Sequence, residues 1–413
     1  MTRSVAEVEG LDELLEGCLP SFGGAFLRRV WLLLDEAVGA GVPMTLSIAG
    51  PVTLSGQTHT WLGPLLETGW FALLSTTDAV CYHDGHRALD GAPGHPIHEV
   101  EIFGDDGELR DERVIRVTDI GFAEDVLLEQ DRYLRAVLRQ PEFQRRMSGT
   151  ELRHLLGRRY AAQERQNGVR EGLLARCWRK AIPIFVGAPA DGSVFLNSVH
   201  AWALREAVGE PHAFELDLHA EVFESCAYHR WGYRESEAGA MGTLILGGGV
   251  PKNFNLQPEP ALSQVLGFEG VPGYRYDIQL TTAPVTDGSL SSCPPGEAVT
   301  WGKVDRDEYR STCESFQCDY TVVMPVLVKA LLEKRARFER WRERMGAEAL
   351  YAEHPAARGY LRDPEGYRLY DHRERLVQAL LDEVRERGEA MLADRDYPLA
   401  PLSGDVPEPT EAR

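Results

Sequence analysis

Apolar and polar positions along this chain fall into alternating blocks that predict a layered α/β fold. Short apolar runs with strand character recur between residues 44 and 323, and amphipathic stretches with helical spacing lie between several of them. Because a helix between two strands allows a crossover connection, this order favours a mostly parallel sheet flanked by helices. The predicted strands are Met44–Ala49, Trp70–Ser75, Ile182–Val186, Thr243–Leu246, Tyr276–Thr281 and Phe316–Val323, and the predicted helices are Trp61–Thr68, His200–Ala207 and His219–Tyr228.

The pattern after Pro325 is helical. One face is apolar through Leu332, and an Arg/Glu-rich run follows to Met345. A further helix is predicted from about Arg373 to Leu392, and the stretch after it is rich in proline and acidic residues, which predicts disorder. We therefore divide the chain into a principal domain at 1–345, a helical C-terminal extension at 346–395 for packing or an oligomer interface, and a disordered tail at 396–413.

Composition narrows the functional classes. The chain has 413 residues, of which 43% are apolar, enough for one large core or two ordinary ones. No stretch approaches a membrane span, the N-terminus lacks the apolar core of a signal peptide, and seven cysteines without a Cys-x-x-Cys pair favour reduced thiols. We therefore expect a cytoplasmic protein without a membrane partner. A net charge of −20 argues against nucleic acid and would attract cationic ligands, although such acidity also serves solubility alone.

The segment from Asp287 to Lys303 has the composition of an active site. It places a lysine, a tryptophan two residues earlier, two carboxylates and four hydroxyls in one turn-rich stretch, and lysine is scarce among the 44 basic residues. A neutral lysine amine forms imines with carbonyl or iminium carbons, and apolar neighbours such as Trp301 favour the neutral form. The alternative is an ordinary surface lysine in a Pro/Gly-rich loop.

A glycine triplet, Gly247–Gly249, follows the predicted strand Thr243–Leu246. Glycines after a strand let the backbone approach a pyrophosphate closely and present amide N–H groups to it. The triplet is neither a Walker A loop nor a Gly-x-Gly-x-x-Gly fingerprint. By itself it also fits a tight strand-to-loop turn.

These blocks resemble deoxyhypusine synthases, which are NAD-dependent aminobutyl transferases. The family signature is matched by Asp287-Gly-Ser289 and by Glu297-Ala-Val-Thr-Trp-Gly-Lys303, and the glycine triplet continues as Val-Pro-Lys252. Ala190-Asp-Gly-Ser193 and Leu74-Ser-Thr-Thr77 resemble further family blocks, so that the resemblance extends from about residue 25 to about residue 335. It implies a Rossmann-like, deoxyhypusine synthase-like catalytic domain that binds NAD.

The resemblance also implies roles for individual residues. Lys303 would be the covalent nucleophile, Glu297 would hold an ammonium group, and Trp301 would shield the substrate from water. In the family, NAD takes hydride from a secondary amine of spermidine, a four-carbon fragment passes to the lysine, and an acceptor amine captures it. The positions that match the family's NAD contacts are Thr76, Thr77, Asp191, Gly248, Thr282, Ala283, Asp287 and Asp319.

The polyamine site departs from the eukaryotic family pattern. Two aspartates are replaced by Leu196 and Leu290, the second of which precedes Ser291. A histidine is replaced by Asn253. Lost carboxylates remove partners for a cation, so the preferred amine or its binding register is expected to differ. Together with Tyr82-His-Asp84, these changes resemble the bacterial deoxyhypusine synthase-like branch, and we expect transfer to a small amine that gives a homospermidine-type product.

Two alternatives to that function stay open. The acceptor could be a protein lysine, as in the parent activity, or the chain could be a non-catalytic scaffold that keeps NAD binding. Leu196 and Leu290 favour the scaffold, whereas the intact Lys303, Glu297 and Trp301 disfavour it. Family members assemble as tetramers with active sites at dimer interfaces, so the resemblance implies a homo-oligomer.

Histidines at 83, 86, 95 and 98 form two His-x-x-His spacings that zinc could use. They lie in loop-like sequence without cysteine partners, and the family needs no metal. We therefore predict no metal site and place His83 near the nucleotide instead. A serine hydrolase is set aside, because no Gly-x-Ser-x-Gly pattern follows a strand.

Overall fold

The computed structural model describes residues 2–89 and 97–393, so the predicted disordered tail lies outside the described residues. The strands are β1 (Met44–Ile48), β2 (Phe71–Thr76), β3 (His98–Glu99), β4 (Val114–Val117), β5 (Ile120–Ala123), β6 (Arg146–Met147), β7 (Ile184–Val186), β8 (Glu215–Leu216), β9 (Gly242–Leu246), β10 (Tyr276–Thr281) and β11 (Cys313–Gln317). The helices are α1 (Leu11–Gly17), α2 (Phe22–Gly39), α3 (Gly63–Leu66), α4 (Asp78–Leu89), α5 (Asp106–Asp111), α6 (Glu124–Leu138), α7 (Gly149–Asn167), α8 (Leu173–Arg179), α9 (Ser193–Val208), α10 (Leu218–Arg234), α11 (Gly249–Leu256), α12 (Pro258–Pro260), α13 (Pro295–Val299), α14 (Tyr309–Thr312), α15 (Tyr320–Met345), α16 (Ala347–Glu353), α17 (Ala357–Tyr360), α18 (Arg373–Glu386) and α19 (Gly388–Ala393).

Six parallel strands form the central sheet in the order β11-β10-β9-β1-β2-β7. The predicted mostly parallel α/β sheet is therefore confirmed. The chain builds one half of the sheet outward from β1 through β2 and β7, and then crosses to the other side of β1 to add β9, β10 and β11. The order in which strands are added to the sheet therefore reverses between β1 and β9, although the strands themselves stay parallel. In sheets of this kind, ligands bind outside the carboxyl ends of the strands at the point of reversal.

One face of the central sheet is aliphatic. Leu46, Leu244 and Ile278 are register partners across β1, β9 and β10 and lie side by side on this face. They belong to the large apolar core, to which α2 contributes Trp31 and Leu34. Burial of these side chains supplies the main stabilisation expected of such a sheet.

The opposite face carries polar side chains, because successive residues of a strand point to opposite sides. Thr45, Thr243 and Asp277 are the register partners of this row. Helix α11 covers it, and Nδ2 of Asn255 donates to Oγ1 of Thr243 at 2.9 Å. The sheet therefore presents hydrogen-bonding groups to the helix that follows the glycine triplet.

The prediction of a strand at Phe316–Val323 is wrong beyond Gln317, because β11 ends at that residue and α15 begins at Tyr320. Asp319 is the N-cap of α15, and its Oδ1 accepts a hydrogen bond from the Thr321 amide at 2.8 Å. This cap overrides the strand preference of the β-branched residues that follow it. Although α15 is 26 residues long, no helix in the described part of the chain is long and apolar enough to cross a membrane.

The apolar pattern assigned no elements between residues 78 and 180, where the described residues form five helices, α4 to α8, and a small antiparallel sheet of β3, β5 and β4. Helix α7 packs against α4 and α8 and buries Leu152, Leu156 and Tyr160 at helical spacing. Because α7 also contains many Arg and Gln residues, its apolar periodicity is weak, and the sequence pattern did not predict the helix.

The helices after Met345 contribute to the same cores as the rest of the chain. Tyr360 of α17 is buried and packs edge-on against Trp70, with ring centroids 5.4 Å apart. Helix α18 lies along α10 and buries Leu376 and Leu380 in the second apolar cluster. This segment therefore packs against α10, and α10 also contacts α12.

Candidate active site

Seven of the eight positions predicted to contact the cofactor lie at or just beyond the carboxyl ends of parallel strands. Because the strands are parallel, these ends meet at one edge of the sheet. Thr76 ends β2, Thr77 follows it, Asp191 follows β7, Gly248 follows β9, Thr282 and Ala283 follow β10, and Asp319 follows β11. The side chain of Thr76 is buried and donates to the Ile48 carbonyl at 2.8 Å, so Thr77 is the more exposed of the two threonines.

The glycine triplet turns the chain from β9 into α11 at the reversal of strand order. Gly247 and Gly248 have φ angles of 62° and 71°, which favour glycine. A Cβ on Gly248 would lie 2.2 Å from Cβ of Ala49, the residue after β1, so the close approach of the two strand ends requires glycine. The N-terminus of α11 therefore lies at the crevice, where its free amides and dipole favour an anion such as a dinucleotide diphosphate.

Lys303 ends a tight turn that follows α13. Its amide donates to the Ala298 carbonyl at 3.1 Å, and its carbonyl accepts from the Tyr274 amide at 2.9 Å. The side-chain Nζ lies 3.4 Å from Oδ1 of Asn253 and 5.9 Å from the ring centroid of Trp301. Partial burial lowers the pKa of Lys303. The lysine is therefore biased towards the free amine, which is the nucleophilic form.

A second lysine, Lys252 on α11, is buried with only 2% of its surface exposed. Its Nζ donates to Oε1 of Gln279 at 2.6 Å and to the carbonyl of Cys293. Burial lowers the pKa of Lys252, Asp277 raises it, and the positive charge of Lys303 lowers it. The positive charge of Lys303 thus disfavours the charged form of Lys252.

Asp277 lies on the polar face of the sheet, where it is the register partner of Thr243, and is 1% exposed. Within the described residues, neither of its carboxylate oxygens has a hydrogen-bond partner. Burial raises the pKa of Asp277 to about 7, and the charge of Lys252 opposes this rise. An acid and a base with pKa values shifted towards neutrality are a common feature of functional sites.

The substrate residues predicted in the lysine block surround the glycine turn and Lys252. Leu290 and Ser291 stand beside the turn, since a Cβ on Gly249 would lie 3.3 Å from Cβ of Leu290 and 3.4 Å from Oγ of Ser291. Glu297 lies exposed on α13 and shares a hydrogen bond with the Cys293 thiol.

Two of the predicted site residues, Leu196 and Asp287, lie apart from the glycine turn. Leu196 lies on α9, which packs against α4 and α6, and 52% of its surface is exposed. It is therefore attached to a different set of elements from the lysine block. Asp287, the eighth predicted cofactor contact, lies in the exposed loop after β10, where its Oδ1 accepts from the Ser289 amide at 2.7 Å.

His83 and His86 lie on α4, the helix that follows β2, with their Nδ1 atoms 3.3 Å apart. Burial lowers the pKa of both, that of His86 to about 3, so both rings are neutral at physiological pH. His95 lies outside the described residues. Among the residues that are described, no three His, Cys, Asp or Glu side chains form a metal-binding group.

The sequence analysis did not predict Asp277, Gln279 or Glu259 as site residues. A signal was present for the first two, because they interrupt an otherwise apolar strand. Glu259 lies between two prolines, a context typical of a loop, and its burial follows from tertiary packing. Two amines of lowered pKa, an aromatic face and buried carboxylates suit the binding and covalent capture of a cationic amine.

Comparisons with known proteins identify the family of the chain. A family model described as deoxyhypusine synthase matches residues 19–331. The "Deoxyhypusine synthase-like protein" of Cyanothece sp. is 38% identical over 330 residues, which cover 78% of this chain and 79% of that protein. The protein of the same name from Nostoc punctiforme is 36% identical over 324 residues, 78% of this chain and 80% of that protein. "Probable deoxyhypusine synthase 2" of Methanosarcina mazei is 28% identical over 353 residues, 83% of this chain and 94% of that protein.

Proposed function

The chain belongs to the deoxyhypusine synthase family, and from that premise we propose that it is an NAD-dependent transferase that moves an aminoalkyl group between amines through an imine on Lys303. The observation that carries the proposal is the state of this lysine. It ends the family's signature block, its amine lies against Asn253 and Trp301, and burial lowers its pKa. A lysine on an open surface would stay charged and unreactive at neutral pH.

The residues at the carboxyl edge of the sheet fit NAD. The glycine turn and the N-terminus of α11 suit the diphosphate, and the exposed carboxylates of Asp191 and Asp319 suit ribose hydroxyls. Thr77, Thr282, Ala283 and Asp287 would complete the site. Bound NAD would accept hydride from the secondary amine of the polyamine and, as NADH, return it to the product.

Lys303 would act as a free base. Its Nζ would attack the imine carbon of an oxidised polyamine such as spermidine. The imine attacked is protonated, so that one proton passes from Nζ to the departing three-carbon diamine as the C–N bond to the lysine forms and the original C–N bond breaks, and the new lysine imine keeps the positive charge. An acceptor amine would then attack the same carbon and release the lysine, while Trp301 limits access of water to the imine.

The apolar replacements at the substrate site support a small-amine acceptor. Leu290 borders the glycine turn and is 40% exposed, so it offers methylene contacts where a carboxylate would hold a cation. Leu196 on α9 likewise stands where the family pattern has an aspartate. We therefore propose a homospermidine-type product, and transfer to a protein lysine becomes an outcome of the test.

Exposed apolar side chains, one of them in the lysine block, support a homo-oligomer, and the resemblance implies a tetramer with sites at a dimer interface. Trp301 is 56% exposed although indole rings are usually well buried. Further exposed apolar residues lie on α9 (Leu196, Val199 and Trp202) and α10 (Leu218 and Val222). Such surfaces are typical of association sites, and light scattering that gave an active monomer would contradict the shared site.

Intact-protein mass spectrometry tests the covalent step. The protein is incubated with NAD and spermidine and then treated with borohydride, which reduces an imine to a stable amine. An aminobutyl adduct should map to Lys303. Lys303→Arg should give no adduct while it retains NAD binding, because a guanidinium stays charged. Full turnover by that variant would contradict the covalent mechanism, and product analysis with small amines and with protein acceptors separates the two acceptor classes.

A further inference from the structure

The loop between β10 and α13 carries Leu290 and Ser291, two of the predicted substrate residues. This loop is folded on itself, because Oγ of Ser292 lies 2.7 Å from the carbonyl oxygens of both Asp287 and Ser289. It is therefore a compact unit of the chain. Its place relative to the glycine turn depends on the groups that attach it to the sheet and to α11.

Gln279, on the polar face of β10, attaches this loop to the sheet. Its Nε2 lies 3.3 Å from the carbonyl oxygen of Cys293 and 3.4 Å from that of Ser291. The same Nε2 lies 3.0 Å from Oγ of Ser315 on the neighbouring strand β11, which orients the amide. Because Gln279 is only 1% exposed, water does not readily replace these hydrogen bonds.

Lys252 attaches the same loop to α11. Its Nζ donates to Oε1 of Gln279 at 2.6 Å and to the carbonyl of Cys293, which Nε2 of Gln279 also contacts. A glutamine amide donates and accepts at once, so Gln279 can bind the loop through Nε2 while its Oε1 receives the lysine. Sheet, helix and loop are therefore joined at one backbone carbonyl group.

Helix α11 also contacts the candidate nucleophile. Oδ1 of Asn253, the residue after Lys252, lies 3.4 Å from Nζ of Lys303. At the start of the helix the loop lies against the glycine turn, since a Cβ on Gly249 would be 3.3 Å from Cβ of Leu290. One helix thus touches both the substrate loop and the reactive amine. The distance between these two parts of the site depends on how firmly the loop is attached.

We propose that Gln279 is a positioning residue that, together with Lys252, fixes the loop of Leu290 and Ser291 against α11 and so determines how well the amine substrate binds. Gln279 acts through the loop backbone, because its amide binds the carbonyls of two loop residues. Without that donor the loop is free to leave the glycine turn, and an amine then binds only at the cost of ordering it. This inference rests on the proposed function, in which the loop contacts the amine, and adds the residue that holds the loop in place.

Gln279→Glu tests the proposal, because it keeps the shape of the side chain and the contact with Lys252 but replaces the Nε2 donor by an oxygen. Amide hydrogen exchange, followed by mass spectrometry of peptides covering residues 287–293, should become about tenfold faster through the loss of a buried hydrogen bond. KM for spermidine should rise by about tenfold with little change in kcat, because binding weakens while the chemistry at Lys303 does not.

Gln140→Glu is the matched control. Its Nε2 also donates to a backbone carbonyl, that of Ala136 at 3.1 Å, but it is exposed at the end of α6. The same substitution there should leave both the exchange of residues 287–293 and KM unchanged. A change in both glutamate variants would trace the effect to the added charge and overturn the role of Gln279.

Lys252→Met keeps the proposal testable if Gln279→Glu does not fold. Methionine has a similar length, and it removes the second donor to the Cys293 carbonyl, so exchange and KM should move in the same direction. In the double variant the two effects should not add, because both substitutions act on one carbonyl group. Unmoved exchange in both single variants overturns the proposed attachment. Faster exchange with an unchanged KM overturns its role in amine binding.

The two hypotheses fail separately. Hydrogen exchange and equilibrium dialysis with NAD and spermidine need no turnover, so both also test the role of Gln279 in a Lys303→Arg background. Full turnover by Lys303→Arg rejects the covalent function alone. An aminobutyl adduct on Lys303 together with unmoved exchange of the loop in Gln279→Glu rejects only the role of Gln279.

Discussion

The two faces of the central sheet come from the same strands and differ in what their side chains do. On one face, Leu244 and its register partners join the aliphatic core under α2. On the other, the adjacent Thr243 and its partner Asp277 meet α11, with Lys252 and Asn255. One face therefore stabilises the fold, while the other brings charges and hydrogen-bond donors into a region where burial can shift their pKa values. The comparison shows that ionisable groups with shifted pKa values can lie on the face of a parallel sheet as well as at the ends of its strands.

The largest expected difference between the faces is in stability. Leu244→Ala removes a fully buried side chain from the aliphatic face and should lower the free energy of unfolding by about 2–5 kcal/mol. Thr243→Val, one residue away, keeps the volume and loses the hydrogen bond from Asn255, at a cost of about 1–3 kcal/mol. Urea unfolding measures both. If Leu244→Ala also changed the pH dependence of Lys303 acylation by acetic anhydride, the two faces would not have the separate roles described above.

The sequence predicted the aliphatic face better than the polar one. The apolar runs at Met44, Trp70, Ile182, Thr243 and Tyr276 all contain strands, because a buried strand is recognisable from its own residues. The apolar run at Phe316 gave a strand prediction that extended too far. The hydrogen bond that Asp319 makes as the N-cap of α15 outweighs the strand preference of the residues that follow it. Lys303 was proposed as a site residue from its motif, whereas the neighbourhood of Glu259 depends on residues far apart in sequence, such as His229 and Tyr274, that only the fold brings together.

The second expected difference appears in the pH dependence of stability. Asp277 has a folded-state pKa of about 7 against an ordinary value of 3.8. Between these pH values the unfolded chain is ionised at this position and the folded chain is protonated, so the wild type loses stability as the pH rises from about 4 to about 7. Asp277→Asn cannot ionise, and its stability relative to the wild type should improve by on the order of 3 kcal/mol across that window. Urea unfolding at pH 4, 6 and 8 measures the change, and parallel curves for the two proteins would show that this carboxyl is not buried as described.

The smallest expected effect concerns substrate choice at the mouth of the polar face. Leu290 borders the glycine turn and is partly exposed, so Leu290→Asp should leave the free energy of unfolding within about 0.5 kcal/mol. The new carboxylate provides a partner for an ammonium group, and kcat/KM for spermidine relative to other amines should rise about tenfold, which corresponds to about 1.4 kcal/mol. Leu290→Asn is the matched control, because it has the same shape without the charge. Equal preference in the two variants would mean that the cation site lies elsewhere and that the polar face selects its substrate through other residues.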